Sequence, residues 1–140
     1  MIPETNLVAV VLATLSTLVI GSVWYSPRGF GKWWMSAAQV DQDKAASRGI
    51  WPILVTVVVS FVTAWVLAGA TTIAHGFYDG TYLLDALLTG TLLWAGFTAA
   101  RMITHDSFEA RPAALTALNL AHELVTVLAM SLIIGLIGIG

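Results

Sequence analysis

Four stretches of this chain are each long and apolar enough to cross a lipid bilayer, and nothing else limits the fold as much. A bilayer core of roughly 30 Å takes about 20 helical residues. The stretches cover residues 6–25, 51–74, 83–103 and 113–138. Each must be helix, because an open strand in lipid would leave its backbone groups unpaired. A closed barrel needs more strands than 140 residues provide. The expected fold is therefore all-α: one four-transmembrane-helix bundle over residues 1–140. Prolines mark the ends. Pro52 and Pro112 stand at helix starts, where a missing N–H costs nothing, and Pro27 stops the first span.

Composition agrees. Hydrophobic residues make up 58% of the chain and charged residues 10%, against about 25% charged in soluble domains. Mean hydropathy is +0.85. The first partner this composition implies is the lipid bilayer. The first apolar run is too long for a cleavable signal and has no basic leader, so it reads as a retained span. The absence of cysteine excludes disulfides, thiolate metal sites and thiol redox chemistry. A net charge of −2 gives no basis for nucleic-acid binding.

The cations set the expected orientation. Arg28, Lys32, Lys44 and Arg48 follow the first span, and Arg101 and Arg111 flank the last turn. All six then lie on one side, which the positive-inside rule makes cytoplasmic. Both termini are expected to face outward, and the location to be the plasma membrane, crossed several times. The loop at residues 26–50 contains helix formers with mixed charges, "MSAAQVDQDKAASR", and is expected to form a short interfacial helix. Trp24, Tyr25, Trp33, Trp34 and Trp51 gather at this level with Arg28 and Lys32, and read as an interfacial anchor.

Ionisable groups inside a span are costly and mark functional candidates. The last span carries Thr116, Asn119, His122, Glu123 and Thr126 at spacings that share one broad helical face. Asn119, His122 and Glu123 are the ligand or proton candidates. A mid-span carboxylate can load and release a proton, and a neighbouring histidine can share it. The alternative is polar glue, in which these groups hydrogen-bond across helices and do nothing else. Arg101, His105 and Asp106 form a second candidate, a polar cluster on the cytoplasmic side that would suit a membrane-embedded lipid-modifying enzyme. Asp85 begins the third span, where an anion suits the helix dipole. Small residues at four-residue spacing, Ala113, Ala117 and Ala121 on the last span and Thr91, Ala95 and Ala99 on the third, suit close helix packing. The three histidines have no metal-ligand spacing, and "GFGK" is too short for a phosphate loop, so no metal and no cofactor are expected.

A helix ending in "GSVWYSP" and followed by "FGKWWM" resembles the bacterial membrane-protein family DUF1761. The residues that carry the likeness are Trp24, Tyr25, Ser26, Pro27, Phe30, Gly31, Lys32, Trp34 and Met35. "LLWAGF", "FEARP" and the Asn of "ALNLAHELV" extend it over nearly the whole chain. The resemblance implies four spans and carries no assigned activity. With no catalytic constellation in view, the expected role is a non-enzymatic structural, oligomeric or accessory subunit of a membrane complex. The alternative is a small oligomeric proton-coupled transporter or permeation unit built on Asn119, His122 and Glu123. A homo-oligomer or a larger membrane complex is expected in either case.

Overall fold

The computed structural model describes residues 1–139, and among them there is helix and no strand. Four helical segments are long and apolar enough to cross a membrane: Leu7–Trp24, Trp51–Tyr78, Tyr82–Phe108 and Ala113–Ile137. These are α1 (Leu7–Trp24), α4 (Trp51–Tyr78), a third span of α5 (Tyr82–Leu93), a π-helical segment (Trp94–Ala99) and α6 (Ala100–Phe108), and α7 (Ala113–Ile137). The loop after α1 holds two short helices, α2 (Gly31–Ala37) and α3 (Gln42–Ser47). Gln39 ends the first with φ 53°, and the Asp41 side chain caps the second by accepting from Asp43 N and Lys44 N. Asn6 and Thr81 cap α1 and α5 in the same way. Pro52 occupies the first turn of α4.

Sequence spacing ends the second span at residue 74. The helix instead continues to Tyr78 and is closed by Asp79 in the left-handed region, φ 54°.

The helices run up and down in a ring. α7 packs on α1 and α5, and α4 packs on α1 and α5 from the opposite side. One end of the bundle carries all six basic residues and is called the basic end below; the other carries the chain termini. The core is Ala9, Val10, Ala13, Ala64, Leu67, Ala68, Val127, Met130 and Ile134. Leu115 and Ala99 are buried toward the basic end, while most of the core lies in the half nearer the termini. Glycines let the helices meet closely there. A Cβ on Gly135 would stand 2.7 Å from Leu83 Cα, and one on Gly90 would run into Ser131 Oγ. Such contact is what holds helices together where lipid removes the usual hydrophobic drive.

Toward the basic end the bundle opens on the α4 side. The α4 stripe Ser60, Ala64, Leu67 and Thr71 is buried. One to two turns earlier the same stripe continues through Val57, Thr56 and Ile53, all exposed, as is every residue from 51 to 59. α4 packs on α5 and is not among the main neighbours of α6, which continues the same span.

The π segment changes the register of the third span. Ala86 and Gly90 are buried, and an uninterrupted α-helix would carry that stripe through residues 94, 97, 101 and 105. A π turn adds a residue, which rotates all that follows by about 100°. Phe97 is 76% exposed and Arg101 and His105 are exposed, while Ala99 is buried and Met102 and Asp106 are half-buried.

Candidate functional site

The site is built where the α1 end meets the middle of α7. After Trp24 the chain turns back on itself. Phe30 N donates to Trp24 O at 2.8 Å, and Gly29 N and Gly31 N both donate to Ser26 O at 3.0 Å. Two glycines permit this. A Cβ on Gly29 would lie 2.6 Å from Val23 O, and one on Gly31 would overlap Tyr25 O. The turn therefore satisfies carbonyls at the α1 terminus that would otherwise lack partners. It also brings Phe30 to Trp24 and Trp34 to Tyr25, each pair with ring centroids 5.1 Å apart.

His122 sits against these rings, with centroids 4.9 Å from Tyr25 and 5.8 Å from Trp24. Gly21, with no side chain, gives the imidazole room beside α1: a Cβ there would lie 3.8 Å from Nε2. Tyr25 OH donates to Asn119 Oδ1 at 2.8 Å. Tyr25 thus stands level with Asn119, six residues into α7, or about 9 Å along the helix. His122 Nδ1 lies 3.5 Å from Glu123 Oε1. His122 Nε2 and Trp24 Nε1 are buried with no hydrogen-bond partner among the described residues.

Glu123 is unusual in its setting. It follows the inward stripe of α7, where Val127, Met130 and Ile134 are buried core. Yet its side chain is 38% exposed, and no hydrogen bond reaches it among the described residues.

The broad polar face of α7 divides among partners. Thr116 donates to Asp106 Oδ2 on α6 at 2.7 Å, whereas Asn119 and His122 meet the α1 end. Six residues at 3.6 per turn separate Thr116 from His122 by about 120°, so one face serves two neighbours. Thr126 is buried with its hydroxyl unpartnered among the described residues.

Arg101, His105 and Asp106 are not brought together: only Asp106 turns inward, to Thr116. The register change in the π segment is the cause. Trp94 opens that segment, and its Nε1 donates to Leu120 O at 3.2 Å, between Asn119 and His122 on α7. Ile103, Asp106, Arg111 and Leu120 line a groove of about 320 Å³ between α6 and α7. Of the expected anchor residues, Trp24, Tyr25 and Trp34 are half-buried in the aromatic cluster, while Arg28, Lys32, Trp33 and Trp51 are exposed.

A second polar cluster lies at the end that carries the termini. Asp85 is buried, and His75 Nδ1–H donates to its Oδ2 at 2.8 Å. His75 also meets Tyr82 edge-on at 5.1 Å. Thr72 Oγ1 donates to Glu4 O at 2.7 Å and shares a hydrogen bond with Tyr82 OH. Asp85 therefore does more than complement a helix dipole. Sequence spacing places His75 in a turn; the helix continues to Tyr78 and puts it one turn from the end, against α5.

The Tyr25–Asn119 bond predicts a measurable coupling. Tyr25→Phe and Asn119→Leu, combined in a double-mutant cycle of unfolding in mixed micelles, should give about 1 kcal/mol. A coupling of zero would contradict the contact.

Comparison with curated proteins and with solved structures gave no significant match. A family model does match, over residues 8–135, and its description is "Protein of unknown function (DUF1761)". Those residues take in all four membrane-length helices almost completely, together with the folded-back turn and the Asn119–His122–Glu123 segment, so this chain belongs to the DUF1761 family of multi-pass helical membrane proteins.

Proposed function

We propose that this protein is a proton-coupled transporter or permeation unit of the bacterial plasma membrane, in which Glu123 loads and releases the proton beside His122. One observation carries the reading. Glu123 lies on the inward stripe of α7 yet keeps a side chain 38% exposed, with no hydrogen bond among the described residues. Polar glue would look different. Asn119 and Thr116 behave as glue, each bonded to a neighbouring element. An inward carboxylate with no such bond adds nothing to packing and is costly in lipid unless water reaches it.

With the basic end in the cytoplasm, as the positive-inside rule directs, the opening beside α4 faces the cytoplasm and the glycine-packed core seals the outer half. Both termini are then outside, and Trp33 and Trp51 reach the inner headgroups with Arg28 and Lys32. Four helices enclose little volume, so the working unit contains more than one copy. Ala113, Ala117 and Ala121 are exposed, the first two beside the groove between α6 and α7, and suit close approach of a second chain. That ridge also favours a second reading, an accessory subunit with no transport of its own.

The test is uptake into proteoliposomes under an imposed pH gradient, across a panel of cationic, neutral and anionic solutes, comparing wild type with Glu123→Gln. Gradient-driven uptake lost in the variant supports the carrier. Equal flux in both would overturn it.

A further inference from the structure

We infer that the solute exchanged for the proton is a monovalent organic cation with an apolar body. The inference rests on the carrier reading above. It follows from which charges face Glu123 and which do not. On α7 its neighbour is His122, whose ring lies against Tyr25 at the α1 end. α4 has no ionisable group anywhere in residues 51–74. On the third span Arg101 and His105 turn outward and Asp106 is held by Thr116. Arg28, Lys32, Lys44 and Arg48 lie in the loop after α1, and Arg111 is exposed beside Glu109, its Nε 2.7 Å from Oε2. A solute anion at this depth would meet a carboxylate and no fixed cation. A cation would neutralise the carboxylate.

The walls argue against a small hydrated ion. Among the described residues no group of three or more His, Asp or Glu side chains is placed to ligate a metal. The uncovered α4 stripe offers Ile53 and Val57, and its Thr56 hydroxyl is spent on Pro52 O at 2.7 Å. On the α1 side Trp24 and Tyr25 lie beside His122, and aromatic π faces attract cations, most of all when water is excluded. A hydrated ion would lose its water here and gain one carboxylate. A cation with apolar or aromatic substituents loses little water and gains the walls as well.

The exchange is a competition for one carboxylate. Protonated Glu123 gives up its proton as the cation binds, the two are never held together, and no covalent bond forms. Tetraphenylphosphonium is the probe, with benzoate as an anion that also has an aromatic body. In nanodiscs the wild type should bind tetraphenylphosphonium saturably and bind no benzoate. In weak buffer, at a pH where the carboxyl is protonated, it should release about one proton per cation bound. Glu123→Gln should weaken binding on the order of tenfold or more and release none, whereas Glu123→Asp, which keeps the charge, should keep both responses.

Equal cation binding by wild type and Glu123→Gln, or benzoate bound as well as the cation, would overturn the inference. Binding that needs Glu123 but releases no proton would support the cation and overturn the proton-coupled reading. Gradient-driven uptake of a neutral or anionic solute that needs Glu123, with no cation binding, would overturn the inference and keep that reading.

Discussion

Replacing Gly31 with alanine is expected to destabilise the protein by on the order of 3 kcal/mol, and to loosen the candidate site as it does so. The new methyl would overlap Tyr25 O and lie 2.8 Å from Ser26 O. Both are backbone atoms at the α1 terminus and cannot rotate aside. Relief would break the bonds from Phe30 N to Trp24 O and from Gly31 N to Ser26 O. Phe30 and Trp34 would then leave Trp24 and Tyr25, the rings that border His122. Unfolding in mixed micelles reads the stability, and a red shift of tryptophan emission reads the loosening. Gly76→Ala is the control. Nothing lies within 4 Å of its added Cβ, and it sits inside α4, so alanine there should be neutral or stabilise by about 0.5–1 kcal/mol. Equal behaviour of the two variants would refute the folded-back turn.

The second large effect is on transport. Glu123→Gln keeps the size and shape of the side chain and removes its ability to titrate. Uptake driven by a pH gradient should fall on the order of a hundredfold or more, the scale of losing an essential proton-transfer group. Stability should stay within about 1 kcal/mol of wild type, because no hydrogen bond to the carboxylate is lost. Glu123→Leu separates the readings further. Were Glu123 packing glue, leucine would destabilise the bundle. If it is a titrating group reached by water, leucine should leave stability unchanged or raise it while abolishing transport.

The four spans and their order could be read from hydropathy alone, because each exceeds the length a bilayer requires. Boundaries set by proline were read well: α7 starts at Ala113, directly after Pro112. The α4 terminus was not, because Gly76 and a polar run look like a turn while the backbone stays helical to Tyr78. That difference hid the His75–Asp85 pair. The π segment was equally invisible. Hydropathy reports how apolar a stretch is, not whether its hydrogen bonds run to the fourth or the fifth residue. A uniform α-helix puts Arg101 and His105 on the inward face, and one extra residue near Trp94 turns them out.

Asn119, His122 and Glu123 were legible because ionisable groups inside a span are rare. Their partners were not. Trp24, Tyr25 and Trp34 have the composition of an interfacial anchor, and composition gives depth but no direction. What turns them toward His122 is the pair Gly29 and Gly31, whose need appears only when a Cβ is placed against the α1 carbonyls.

The central claim is that water reaches Glu123 from the basic end and from nowhere else. Native cysteine is absent, so Glu123→Cys carries the only thiol in the chain. In oriented membranes, a charged membrane-impermeant thiosulfonate should modify that thiol when added on the side of the Arg48 loop. Added on the side of the termini it should not. Thr56→Cys should follow the same pattern, and Ala64→Cys, in the sealed core, should resist from both sides. A Glu123→Cys thiol that reacts from neither side, or only from the side of the termini, would contradict the account.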